Sequence, residues 1–141
     1  MMIRVLSRTW ALALVMPGAA NACAREEPFA PSDLALDQLV FRAEVTDYAL
    51  NHRQGRLTLR RVEGLAGDVP ATLTVFWDVL MGDAPPETWD RSHAVIVGVI
   101  ANETGAFWQL VNPPCGTAHI LPDTPENGAL VRAALPPPVA D

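Results

Sequence analysis

The chain contains no lysine. Its ten basic residues are all arginine, set against 16 aspartates and glutamates, for a formal net charge of −6. A surface this poor in positive charge lacks the footprint that phosphate backbones demand, which argues against nucleic-acid binding. An anionic membrane surface repels it as well. Cysteine is scarce: only Cys23 and Cys115 occur, and no C-x-x-C offers a dithiol redox motif. No apolar run reaches the roughly 20 residues of a spanning helix. The G-x-S-x-G and S-x-x-K settings of serine nucleophiles are both missing. The three histidines, His52, His93 and His119, are spaced like no zinc motif.

What is present begins with the three parts of a secretory signal. Arg4 and Arg8 form a positive start without an acid, Trp10 to Met16 a short apolar core, and Pro17–Gly18 a helix break. Ala20 and Ala22 then give the small-x-small pattern that places cleavage before Cys23. Loss of residues 1–22 leaves 119 residues and removes two arginines and no acid, so the net charge becomes −8. That length suits one domain with a real core. Residues 23–135 are expected to form it, with 136–141 a disordered proline-rich tail.

Export carries both thiols into the periplasm or beyond, where thiols pair. A Cys23–Cys115 bridge closes nearly the whole mature chain. A loop of that length contributes on the order of 4 kcal/mol in the chain-entropy account. The alternative is a lipid anchor on Cys23. It suits the sequence less well, because Ala20 stands where a branched apolar residue is usual and Cys115 is left without a partner.

Alternation then marks strands. Leu39, Phe41, Ala43 and Val45 point one way; Leu57 and Leu59 do so in the next run, and Leu73, Val75 and Trp77 in a third. Val62 falls out of phase with Leu59, which places a bulge near Arg60–Arg61. "HAVIVGVIA" is apolar on both faces, as in a central strand, with Gly98 in its middle permitting close packing or a coil of the strand. "NETG" reads as a turn into "AFWQLV". Thr124, Pro125 and Glu126 open a short C-terminal helix. The lead-in "REEPFAPSD" reads as extended. Five short strands and one helix without βαβ alternation define an all-β fold, an antiparallel barrel or sandwich.

"SDLALDQLVFRAEVTDY", "RLTLRRVEGLAGDVPATLTVFW" and "NPPCGT" together resemble the netrin-like module of the tissue inhibitors of metalloproteinases and their bacterial relatives. Cys23, Ser32 to Leu34 with Leu39 to Ala43, Val62 to Gly64, and Cys115–Gly116 occupy the places of that layout, over roughly Cys23 to Leu121. The resemblance implies a small antiparallel OB-like barrel whose late cysteine pairs back to the first. In the inhibitors a Cys-x-Cys start lets the first cysteine's amine and carbonyl chelate the target's zinc. Here the start is Cys23–Ala24–Arg25, with one cysteine only.

No residue set announces catalysis, a resident metal or a cofactor. Ser92 and His93 are neighbours in sequence, so a strand sends their side chains to opposite faces. Asp78, Asp83, Glu87 and Asp90 fall in one long segment with Trp77 and Trp89, without the alternating oxygen pattern of a calcium loop. That segment is read as a solvated loop, and Trp77 as core. Trp89, Trp108 and the Cys23 terminus are the candidate partner-binding positions, since aromatic anchors dominate interfaces. The expected function is that of an exported non-enzymatic binding domain with a protein partner. An inhibitor of a secreted metalloprotease acting through Cys23 is the alternative, and an enzyme using the acidic segment comes third. No feature assigns an oligomeric state.

Overall fold

The computed structural model describes residues 29–51, 54–78, 93–113 and 117–137. The expected signal segment, Cys23, Cys115 and Trp89 lie outside these, as do His52, Ser92, most of the acidic segment and the last residues of the chain. The described chain runs through a 3-10 helix (Pro31–Leu36), six strands and one α-helix. The strands are β1 (Leu39–Leu50), β2 (Gln54–Ala66), β3 (Thr72–Asp78), β4 (His93–Ala101), β5 (Trp108–Leu110) and β6 (Ile120–Pro122); the helix is α1 (Pro125–Ala134).

Strands pair in the order β1-β2-β3-β5-β4-β6, and β1 also pairs β4. The second pairing closes a five-stranded barrel and leaves β6 as an added strand on β4. Every pairing is antiparallel except β3–β5, which is parallel. This is an all-β, OB-like barrel with a short C-terminal helix, the architecture expected above. Closure removes the sheet edges that a sandwich of the same strands exposes.

β1 makes closure possible. It pairs β2 along nearly its full length and β4 from Leu39 to Val45, so both of its edges are used at once. Such a strand must coil, and three register shifts against β2 supply the bends. At one of them Arg42 faces Glu63 and Ala43 faces Arg61, which leaves Val62 as the extra residue. The bulge expected near Arg60–Arg61 therefore sits one position on. Val62, released from the ladder, is 52% exposed.

Alternation holds where it was read. Leu39, Phe41, Ala43, Val45, Leu57, Leu59, Leu73, Val75 and Trp77 are all buried inside the barrel, joined by alternate residues of β4. β4 is buried on both faces because a second, smaller core lies outside the barrel wall. There Val40 and Ile96 are covered by Leu34 of the 3-10 helix and Val131 of α1.

Pro31 and Asp33 explain the 3-10 helix, where an extended lead-in was expected. Pro31 presets the first turn, and the Asp33 carboxylate accepts from the Ala30 N–H at 2.9 Å. α1 starts as the sequence indicated. The Thr124 hydroxyl accepts from the Asn127 N–H at 3.2 Å, and Pro125 fills the first turn.

An ion network fastens α1 to the barrel. Arg42 Nε donates to both oxygens of Asp123, at 3.0 and 2.9 Å, while its Nη1 donates to Glu63 at 2.9 Å. Arg132 of α1 donates to the same Glu63 oxygen at 2.7 Å. Hydrogen bonds from Arg132 and then Arg42 hold the Glu63 carboxyl below its ordinary range. Bonds to Glu63 and Asp123 raise the Arg42 guanidinium further.

Candidate functional site

Two polar arrangements stand apart from the barrel's apolar interior. The first is a buried acid–imidazole pair. Asp37 follows the 3-10 helix, its N–H donating to the Leu34 carbonyl at 3.1 Å. His119 precedes β6; its N–H donates to Val111 O at 2.8 Å, and its carbonyl accepts from Gly98 N at 2.9 Å. These bonds set the imidazole over the wall of β4. Its Nδ1 lies 2.8 Å from Asp37 Oδ2, with the two side chains only 10% and 4% exposed.

Gly98 makes room for the pair. A Cβ at that position would fall 1.7 Å from Asp37 Oδ2 and 2.6 Å from Leu34 Cδ2. The close packing suggested for this glycine thus has a definite partner. The Phe29 ring covers the imidazole, with centroids 5.2 Å apart and planes tilted by 52°. Asp37 is the only side chain among the described residues to hydrogen-bond the His119 ring. The arrangement ties the N-terminal segment to the approach of β6.

The second arrangement is an outward cleft of about 350 Å³ over the parallel seam. Register builds its floor: Phe76 of β3 faces Gln109 of β5, which in turn faces Ile100 of β4. Three strands thereby present one row across the outer surface. Phe107 stands edge-on to Phe76, with centroids 5.3 Å apart and planes at 77°. Val111, Asn112 and Pro113 form one wall, and Asp78 lies at the end of β3.

Polar capacity in the cleft is only partly used. Asn112 Nδ2 donates to Asp78 O at 3.0 Å, whereas its Oδ1 is buried and accepts from none of the described residues. The half-buried Gln109 side chain makes no hydrogen bond with any described residue. An apolar concavity holding a few unspent donors and acceptors is the usual form of a binding site.

Of the candidate partner-binding residues, Trp108 alone is described. It opens β5, is half-buried, and packs against the barrel core on the face opposite Gln109. Trp77 is 3% exposed and belongs to the core, as read. His93 begins β4 at the surface, and His119 is buried. Ser32 lies exposed in the 3-10 helix. The cleft residues carried no signal in the sequence, because Phe76, Ile100 and Gln109 become neighbours only through strand register.

Among the described residues no group of three or more His, Cys, Asp or Glu side chains is placed to hold a metal ion. No helix among them is long and apolar enough to cross a membrane. Neither a family model nor a curated protein sequence matches the chain.

Proposed function

We propose that the chain is an exported, non-enzymatic binding domain of netrin-like type whose ligand is a protein. The observation that carries this reading is the outward cleft, where Phe76, Ile100 and Pro113 line a concavity that also holds the buried Asn112 Oδ1, which accepts from none of the described residues. Aromatic and aliphatic anchors beside unspent polar groups are what protein interfaces use. The net charge of −6 favours a protein over a nucleic acid. The OB-like strand order is the fold that the netrin-like resemblance implies.

The test is photo-cross-linking in the native host, with p-benzoylphenylalanine at position 107 or, for comparison, at position 72. One dominant protein adduct from either position supports a binding domain. Absence of adducts from both, with no co-purifying protein, overturns it.

A second reading, inhibition of a secreted metalloprotease through the Cys23 amine and carbonyl, draws on the Phe29–His119 contact. Phe29 follows Cys23 by six residues and His119 follows Cys115 by four. Their rings touch, which is compatible with a bridge that fixes the Cys23 terminus. An extra N-terminal alanine would block the amine and abolish such inhibition. Equal inhibition with and without that alanine would contradict the mechanism.

A further inference from the structure

We propose that Asn127–Gly128, in the first turn of α1, is a self-modification site. The Asn127 side-chain amide is lost as ammonia when that turn opens, and the isoaspartyl product keeps the turn from re-forming. The proposal is independent of the binding reading above.

Sequence supplies the reactive pair. It is the only Asn–Gly in the chain; the other asparagines precede alanine, histidine, glutamate and proline. Glycine leaves its backbone nitrogen unhindered by a Cβ. Hydroxide takes the proton of that nitrogen, which then attacks Asn127 Cγ. A C–N bond forms, closing a succinimide ring, and the bond from Cγ to the amide nitrogen breaks. The leaving nitrogen takes a proton from water and departs as ammonia. Water then opens the ring at either carbonyl, giving aspartate or isoaspartate.

The fold holds both reactants elsewhere. Gly128 N–H donates to the Thr124 carbonyl at 2.9 Å, and Asn127 Nδ2 donates to the Pro122 carbonyl at 2.9 Å. Attack requires the nitrogen to leave Thr124 and the amide to leave Pro122. Gly128 is also buried, which keeps hydroxide from its N–H. Yet all of these bonds lie in the first turn, where a helix end opens most readily and where the Thr124 hydroxyl supplies the cap.

The products do not restore this arrangement. Aspartate sets a carboxylate against the Pro122 carbonyl, acceptor against acceptor. Isoaspartate routes the main chain through the former side chain and adds a backbone atom inside the turn, so the Thr124 bonds lose their helical spacing. Beyond that turn α1 carries Val131 into the outer core and Arg132 to Glu63 at 2.7 Å. Both anchorages are therefore weakened.

The experiment incubates the full chain in mildly alkaline buffer, folded and in urea, and follows the amide-to-acid mass change. Peptide mapping locates it, and enzymatic methylation counts isoaspartate. Modification should be confined to Asn127 and run about tenfold slower in the folded chain, the protection given by two ordinary hydrogen bonds. Thr124→Ala should speed it about fivefold in the folded state, the population shift of a lost cap, and leave the rate in urea unchanged. Gly128→Ala should suppress it in both conditions; its Cβ would meet Arg132 Nη1 at 3.6 Å, an ordinary contact. The modified chain should unfold at a lower urea concentration than the unmodified one.

Equal rates in the folded and unfolded chain overturn the proposal, as does a first modification at any other asparagine. A folded Thr124→Ala that reacts no faster than wild type contradicts the opening route. Unchanged urea stability after modification contradicts the effect on α1. The folded-to-unfolded ratio of wild type decides the matter should Thr124→Ala fail to fold.

Discussion

His119 Nδ1 and Asp37 Oδ2 lie 2.8 Å apart although the residues are 82 positions apart in the chain. The pair is almost wholly buried, and it depends on a glycine, since a side chain at position 98 would occupy the carboxylate's place. Burial makes the bond consequential. A polar group left without its partner in such a site costs about 1–3 kcal/mol, more than the bond contributes when made.

Asp37→Ala should therefore destabilise the domain by about 1–3 kcal/mol in urea unfolding. Gly98→Ala should cost about 3 kcal/mol, since it displaces Asp37 and crowds Leu34. Both changes remove the same bond, so the double variant should fall short of the summed effects by about 1 kcal/mol. Strict additivity would show that the two sites are not coupled through the carboxylate.

The ion network on α1 has a defined pH dependence. Glu63 is held below its ordinary range by Arg132 and Arg42. A depressed carboxyl contributes stability that is present above its unfolded pKa of about 4.3 and is lost as pH falls through its folded value. Wild type should thus exceed Glu63→Gln in stability at pH 7, by less than about 1 kcal/mol because the group is partly exposed. The gap should narrow as pH falls below about 4. A gap that widens on acidification would contradict the sign.

The outer core should behave as part of the same cooperative unit. Leu34→Ala, at a fully buried position beneath α1, should cost about 2–5 kcal/mol. Thr124→Ala removes the cap of α1 and should cost about 1 kcal/mol. Hydrogen exchange distinguishes the two outcomes. Faster exchange throughout β1 and β4 is expected for Leu34→Ala, whereas exchange confined to α1 would show that the helix is an independent appendage.

Much of the barrel was legible because its signals are local. Leu39 to Val45 and Leu73 to Trp77 alternate cleanly, and β4 advertises burial on both faces. Thr124–Pro125 marks a helix start within two residues. Elements without such signals escaped. β6 has three residues, one of them Pro122, and takes its place through pairing with β4 alone. The 3-10 helix depends on a single proline and one carboxylate, which also suit an extended segment.

The candidate site was harder to read for a different reason. His119 announced nothing, because its partner Asp37 comes from the far end of the chain. The cleft depends on the parallel β3–β5 register, which no pattern within either strand encodes. Periodicity assigns a residue to a face. It does not say which residues of other strands stand beside it.

The proposed compartment underlies the functional reading, because export would carry both thiols into an oxidising space, expose the domain to extracytoplasmic partners and define a terminus at Cys23. The direct test is the intact mass of the protein recovered from its native host, with and without reductant. The account predicts the mass of residues 23–141, rising by two hydrogens on reduction. A mass that includes residues 1–22, or one raised by acyl chains on Cys23, would contradict it.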